Sequence, residues 1–409
     1  MSYDLVDAKP IHELCKIIDC EHKTAPYVEE SEFLVVRTSN VRNGQLVMED
    51  MKFTTEESFE EWTQRAIPEY GDVLFTREAP AGESCLVPKD KKICMGQRMV
   101  LLRPNRKKVD PLFLSLILAT EKCKFDIYRL SIGSTVSRIN ISDIKNLKVA
   151  SPPLPEQQKI AQILTSWDQA ISATEKLLAN SQQQKKALMQ QLLTGKKRLL
   201  DENGVKFSGE WKKGKLDDLV KIDSGFAFKS SDFTNSFDGV PIIRMSDFKN
   251  GGLDIREAAK VSKEITNGLQ RFRLNSGDFV FGMSGSLSNY GWVKEKDLPC
   301  YLNQRVGRLV ANEQGDQKFV TYLYLSEKVQ QSIIDKAAGA AQLNISVNDL
   351  RGIQVFYPVK EEQQKIAKVV SLADQEIETL QKKLDCLKQE KKALMQQLLT
   401  GKKRVKVAA

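Results

Sequence analysis

Glu156-Gln157-Gln158-Lys159-Ile160-Ala161 opens, and Lys185-Lys186-Ala187-Leu188-Met189-Gln190-Gln191-Leu192-Leu193-Thr194-Gly195-Lys196-Lys197-Arg198 closes, a stretch that the chain contains twice. The opening word returns at Glu362–Ala367 and the closing word at Lys391–Arg404, each 206 residues later, so both copies have the same length. Pro152, Pro153 and Pro155 stop whatever precedes the first copy, and Pro358 does so for the second. No further Pro or Gly follows until Gly195 and Gly401, where a helix C-cap glycine belongs. Each copy therefore reads as one long helix, roughly 60 Å at about 1.5 Å per residue.

A seven-residue frame runs through both copies. In the first, a positions are Ile160, Trp167, Thr174, Ser181 and Leu188, and d positions are Leu164, Ile171, Leu178, Lys185 and Leu192. In the second, a reads Ile366, Ala373, Leu380, Leu387 and Leu394, and d reads Val370, Ile377, Leu384, Lys391 and Leu398. A narrow apolar stripe of this length predicts coiled-coil pairing, with the twin helix as partner. Lys185 and Lys391 are the departures; if buried, they must snorkel or meet a carboxylate.

The repeat extends beyond the helices. Gly71-Asp72-Val73-Leu74-Phe75 returns as Gly277-Asp278-Phe279-Val280-Phe281, Arg37-Thr38-Ser39 with Asn43-Gly44 as Arg244-Met245-Ser246 with Asn250-Gly251, and Gln97-Arg98 as Gln304-Arg305. The plan is a globular unit (residues 1–150), a long helix (151–198), a polar linker (199–215), a second globular unit (216–357) and a second long helix (358–404). Within the units Phe33–Val41, Asp72–Arg77 and Ile93–Leu102 read as strands, and Thr54-x-x-Glu57 as a capping box. Asp110-Pro111 starts a helix through about Arg129, with a counterpart from Asp316 to about Ala338. Gly133-Ser134-Thr135 and Gly339-Ala340-Ala341 then turn each chain segment into a last strand. The fold class is α+β. A parallel helix pair would oblige the linker to run back along a full helix, which it barely spans when fully stretched. Antiparallel pairing, with a globular unit at each end of a pseudo-twofold dumbbell, is expected.

Size and charge narrow the function. At 409 residues with net charge +9, the chain suits a polyanionic partner. Seven cysteines without a Cys-x-x-Cys pair fit a reduced compartment. The start lacks a signal pattern, and the longest apolar run, Leu112–Ala119, is too short to cross a bilayer, so a cytoplasmic protein without membrane contact is expected. His12, Cys15, Cys20 and His22 suggest zinc, but the spacing matches no common site and has no equivalent in Lys215–Gly225, so no metal is expected. Thr194-Gly195-Lys196-Lys197 lacks the residues of a phosphate loop, an Asn-Pro-Pro-Tyr methyltransferase word is absent, and Glu21-x-Lys23 only faintly suggests a nuclease. No nucleophile–base set stands out.

The helix words and the Gly-Asp-Val-Leu-Phe word resemble the DNA-specificity subunit of type I restriction–modification systems, over essentially the whole chain. The resemblance implies a non-catalytic protein with two target-recognition domains, each followed by a helix of an antiparallel pair. It would bind double-stranded DNA at an asymmetric bipartite site, together with two adenine-methylating modification subunits and ATP-driven restriction subunits. S-adenosylmethionine, ATP and Mg2+ would belong to those partners, with no cofactor on this chain. The competing readings are an enzyme with an unrecognised nuclease centre and a coiled-coil adaptor without sequence preference. Polar residues beside the repeated strand words are the candidate DNA contacts. In the first unit these are His22, Lys23, Arg37, Ser39, Asn40, Arg42, Arg77, Gln97, Arg98 and Arg138. In the second they are Lys229, Arg244, Ser246, Lys249, Ser284, Ser286, Asn303, Gln304 and Arg305. Arg suits guanine and Asn or Gln suits adenine, whereas Lys mainly neutralises phosphate. A helical insertion after Ser181 and its repeat equivalent, after Leu387, is expected to lengthen the gap between the two recognised words.

Overall fold

The computed structural model describes residues 8–21, 23–131, 138–249, 252–337 and 343–406. They form two compact units: one holds the residues up to Glu175 together with those from Lys382 onward, and the other is Lys176–Gln381. Each unit thus contains one globular body, part of one long helix and part of the other.

The two bodies repeat one topology. In the first, Cys15–Asp19, Met99–Pro104, Val73–Thr76 and Ser84–Leu86 form an antiparallel sheet in that order. Val220–Ser224, Val306–Ala311, Phe279–Gly282 and Tyr290–Trp292 do the same in the second. A separate small sheet in each body contains one parallel pair, Phe33–Val36 beside Lys92–Met95 and Val240–Ile243 beside Tyr301–Leu302. Gly71 (φ 91°) and Gly277 (φ 89°) make the turn before the second repeated strand, a left-handed conformation that costs glycine nothing. The aspartate that follows each caps that turn and meets an arginine of the neighbouring strand: Asp72 with Arg103 at 2.8 Å, Asp278 with Arg308 at 3.2 Å.

Local details depart from the sequence reading for identifiable reasons. Thr120 caps a new helix, so the expected helix to Arg129 is two, Pro111–Leu118 and Glu121–Leu130. Its counterpart likewise divides into Gln317–Tyr324 and Glu327–Ala337. The helix cap is displaced by one residue and is a simple N-cap: Thr55, not Thr54, accepts from the Ser58 amide, while Thr54 is buried and donates to the Pro26 carbonyl. Ile93–Leu102 is two strands separated at Gly96–Arg98, and Phe33–Val41 ends as a strand at Val36. Lys212–Lys215 are not linker; they pair with Gln354–Tyr357 as a strand of the second body. The glycine turns expected near 133–135 and 339–341 lie outside the described residues.

Leu154–Leu192 and Lys360–Leu398 are the two long helices, 39 residues each. Gly195 (φ 71°) and Gly401 (φ 68°) end them in the left-handed conformation. The helices pack against each other antiparallel. In the first unit Arg404 bonds Glu156 and Lys391 meets Asp168; in the second Arg198 bonds Glu362 and Lys185 meets Asp374. The heptad frame holds throughout. Ile160, Leu164, Leu178, Leu192, Ile366, Val370, Leu384 and Leu398 are buried, and Trp167, Ile171, Leu188, Ile377, Leu387 and Leu394 are half-buried. It does not slip at the lysines: Lys185 and Lys391 are about four-fifths covered at 23% and 20% side-chain exposure, and each finds its carboxylate.

The repeated words now have a physical role. Glu156 and Glu362 accept two hydrogen bonds each from the arginine that ends the other helix's closing word. The arginine beside Glu156 holds its carboxyl below the usual range. Gln157, fully buried, accepts from the Asp110 amide and donates to the Lys108 and Pro152 carbonyls. Gln363 makes the same three bonds with Asp316, Gln314 and Pro358. Ile160 and Leu164 then enter a core with Phe113, Leu114, Leu398 and Leu399, as Ile366 and Val370 do with Phe319, Val320, Leu192 and Leu193. Each long helix is thereby bolted to a globular body at its first turn.

Candidate nucleic-acid interface

Two parallel strands deliver the residues that follow them to the same edge of a sheet. In the first body, Phe33–Val36 is followed by Arg37, Thr38 and Ser39, and Lys92–Met95 by Gly96, Gln97 and Arg98. A bond from the Gly96 amide to the Val36 carbonyl (2.8 Å) ties the two exits together. The result is a surface depression of about 290 Å³ lined by these six residues with Thr24, Ala25 and Tyr27. The second body builds the same feature. Arg244, Met245 and Ser246 leave one parallel strand, Asn303 and Arg305 the other, and the Asn303 amide bonds the Ile243 carbonyl at 3.3 Å. With Ser284, Gly285, Ser286 and Asn289 they line a depression of about 470 Å³.

The residues after each strand are held by a short turn. Asn40, fully buried, accepts from the Arg37 amide and donates to the Val47 and Glu49 carbonyls. Asp247 takes the same position, accepting from the Arg244 amide at 2.7 Å. Burial pushes its carboxyl above the ordinary range, against the opposing pull of Arg244. The turn aims both arginines at the depression. Arg37 donates to the Asp50 carbonyl at 2.6 Å, and Arg244 lies over the Phe233 ring. In each the buried Nε has no hydrogen-bond partner among the described residues.

Of the candidate contacts, Arg37, Ser39, Gln97 and Arg98 line the first depression, with Lys23 exposed next to its Thr24 wall. Arg138 is exposed and reaches it through Glu78, which ion-pairs Arg98 at 3.0 Å and Arg138 at 3.3 Å. Arg42 is exposed on the hairpin of Val41–Arg42 and Gln45–Leu46. Two expectations are corrected. Asn40 is an internal strut with its amide fully used, as described above. Arg77 is 6% exposed, bonded to Asp19 at 3.2 Å and to the Ile139 carbonyl, so it braces the body. His22 lies outside the described residues. In the second body Arg244, Ser246, Ser284, Ser286, Asn303 and Arg305 come together, and Gln304 is exposed between the last two. Lys229 is exposed at a separate capping turn, and Lys249 sits 3.8 Å from both Asp254 and Glu257. Sequence reasoning missed Thr24, Tyr27, Thr38, Met245, Asn289 and Glu78. Thr38 and Met245 lie inside a repeated word and Glu78 shortly after one, whereas Thr24, Tyr27 and Asn289 carry no such signal.

Of the zinc-like set, His12, Cys15 and Cys20 are among the described residues. Cys15 and Cys20 are buried, and burial raises both thiols, that of Cys15 to about 12. His12 Nδ1 faces the Lys145 carbonyl at 2.9 Å. Among the described residues no group of three or more His, Cys, Asp or Glu side chains is placed to hold a metal ion, and no helix is long and apolar enough to cross a membrane.

A duplicated body with a polar, arginine-bearing depression, each joined to a long helix of an antiparallel pair, is the architecture of a DNA specificity protein. The profile of the type I restriction modification DNA specificity domain matches residues 4–180 and again 208–389, and the chain belongs to that family. It is 30% identical over 328 residues to the type I restriction enzyme MjaVIII specificity subunit of Methanocaldococcus jannaschii, covering 77% of this chain and 76% of that one. It is 22% identical to the EcoKI specificity subunit of Escherichia coli, over 88% of this chain and 79% of the relative. The crystal structure of the S subunit from M. genitalium superposes with a TM-score of 0.59 at 17% identity, covering 97% of both chains. By family, therefore, this is a non-catalytic specificity subunit whose role is DNA sequence recognition.

Proposed function

We propose that this chain recognises an asymmetric, bipartite site in double-stranded DNA, one word per globular body. It directs to that site the adenine-methylating modification subunits and the ATP-driven restriction subunits of a type I restriction–modification complex. S-adenosylmethionine, ATP and Mg2+ act in those partners. The observation that carries this reading is the pair of depressions: same strand exits, same arginine and serine at the first exit, but walls of different chemistry. Thr24, Ala25 and Tyr27 in one, against Ser284, Ser286 and Asn289 in the other, suit two readers of unlike words. The test is to map methylated positions in DNA modified by this chain with its methyltransferase. One asymmetric motif of two short words around an unspecified gap is expected; a single continuous word, or methylation without sequence preference, would refute the proposal.

We further propose that the paired helices set the gap. In the antiparallel register, the numbers of bonded residues, Glu156 with Arg404 and Arg198 with Glu362, sum to 560 in both units. A helical segment of equal length added after Ser181 and after Leu387 raises both sums by the same amount and so keeps both ion pairs in register. One added heptad per helix, about 10 Å, should lengthen the gap by about three base pairs and leave both words unchanged. An unaltered gap would remove the helices from this role.

A further inference from the structure

The repeated Gln-Arg word sits at the same strand exit in both bodies, yet its arginine is held differently in each. The Arg77 amide bonds the Arg98 carbonyl at 2.8 Å, and in the second body the Met283 amide bonds the Arg305 carbonyl at 3.0 Å, so the two arginines occupy equivalent places. The isolated bridge between Glu78 and Arg138 is matched by one between Ser284 and Asn344. Glu78 and Arg138 of the first body therefore correspond in position to Ser284 and Asn344 of the second. Glu78, with its side chain only 16% exposed, grips the Nε edge of Arg98 at 3.0 Å while its other oxygen holds Arg138 at 3.3 Å. Arg305 is exposed and forms no ion pair with the described residues. The backbone differs as well. Arg98 is in the left-handed region at φ 68°, which is costly for a residue with a Cβ, and Arg305 is not among the positive-φ residues.

Reading a base demands a guanidinium fork fixed in direction, whereas neutralising a phosphate demands only charge within reach. A carboxylate on Nε fixes the plane of the fork and leaves the terminal nitrogens for a bidentate acceptor, and the base edge that offers one to arginine is guanine O6 and N7. Resting on the DNA-recognition reading above, we propose that Arg98 reads a guanine in the word of the first body. Glu78 is its positioning residue, and Arg305, with no such brace, contacts the sugar–phosphate backbone.

The test uses the full chain co-purified with its modification subunits, bound to a duplex library in which each position of both words is varied, at several salt concentrations. Arg98→Lys keeps the charge and loses the fork. It should relax discrimination at one G·C pair by roughly 5- to 150-fold, leaving the other word and the salt dependence unchanged. Glu78→Gln should relax the same pair partially, and no other. Arg305→Ala should weaken binding to every sequence alike and lower the slope of log affinity against log salt by about 1. If Arg98→Lys leaves every position as selective as before, or Arg305→Ala relaxes a single base pair, the assignment is overturned while recognition itself stands. If the unsubstituted complex shows no preference at any position, recognition falls with it. Loss of selectivity at both words in Glu78→Gln would reduce Glu78 to a folding role and overturn its part.

Discussion

Glu362 and Glu156 allow an experiment in which the same arginine–carboxylate fork is removed at two different degrees of burial. Each carboxylate takes two hydrogen bonds from an arginine, at 2.6 and 2.6 Å for Glu362 and at 2.8 and 2.6 Å for Glu156. The Glu362 side chain is fully covered and its partner Arg198 is 17% exposed; Glu156 is 7% exposed but its partner Arg404 is 46% exposed. Glutamine preserves shape and one acceptor while removing the charge. In the second unit this leaves a shielded guanidinium with the amide oxygen of the substituted side chain and the Gly209 carbonyl at 2.9 Å as acceptors, and no charge to oppose its own. Breaking a buried pair costs about 3–5 kcal/mol, and the retained amide bond returns about 1 kcal/mol, so Glu362→Gln should cost about 2–4 kcal/mol. In the first unit Arg404 turns to water, and the amide oxygen still accepts from the Val405 amide. The cost of Glu156→Gln should therefore fall to about 1 kcal/mol. At about 2–4 °C per kcal/mol for bodies of this size, calorimetry of the full chain should show a loss of about 10 °C for the first substitution and about 3 °C for the second. A double-mutant cycle with Arg198→Met should recover most of the Glu362 loss as coupling. Equal shifts, or a larger one for Glu156, would refute burial as the deciding variable.

Three further outcomes follow from the same contacts. Arg77→Ala should lower the stability of the first body by about 2–3 kcal/mol in denaturant titration, because Asp19 and the Ile139 carbonyl lose the Arg77 guanidinium; a normally stable variant with one relaxed word would reverse its assignment as a brace. Arg404 holds the Glu156 carboxyl below its ordinary value near 4.5. The stabilisation is thus complete above that value and is lost as pH falls through the depressed one. The stability gap between the native chain and Glu156→Gln should shrink from pH 6 towards pH 3, and a gap that widens would contradict the sign. Gln157→Ala and Gln363→Ala each strip three bonds from residues at most 1% exposed, and should cost about 2–3 kcal/mol alike; unequal midpoints would show that the two attachments are not equivalent.

The long helices were legible because their information is local. A heptad stripe, prolines before and a glycine after need no knowledge of the rest of the chain, and even the lysines at d were readable as requiring carboxylates. Asp168 and Asp374, which supply them, lie on opposite helices and were not named. The broken helix at Thr120 was hidden because the run Leu112–Ala119 continues into residues of good helix propensity, and only tertiary packing makes Thr120 a cap. Asn40 and Arg77 looked like readers because polar residues beside a strand resemble a binding edge. Their burial depends on Val47, Glu49, Asp19 and Ile139, some of them distant in sequence. Glu78 was passed over for the converse reason: a basic site directs attention away from acids, and its meeting with Arg138 spans a gap that no local pattern encodes.

What the two halves share and what they do not now separate physically. Glu156 and Glu362, Gln157 and Gln363, and the Gly-Asp turns at 71–72 and 277–278 all hold helix or strand to body, and each makes the same bonds in both copies. A change in one of them would be felt as instability whichever word is read, so these positions have little freedom to differ. The depression walls carry no such duty: Thr24 and Tyr27 on one side and Asn289 on the other line open surface, where a side chain can change at small cost to folding. The Gln-Arg word is the exception, shared although it stands on the rim. Its carbonyl bond to the preceding strand explains the sharing of place. The exchange of Glu78 for Ser284 lets one arginine be aimed and leaves the other unbraced, so a common residue can serve two recognition roles without any change in its own identity.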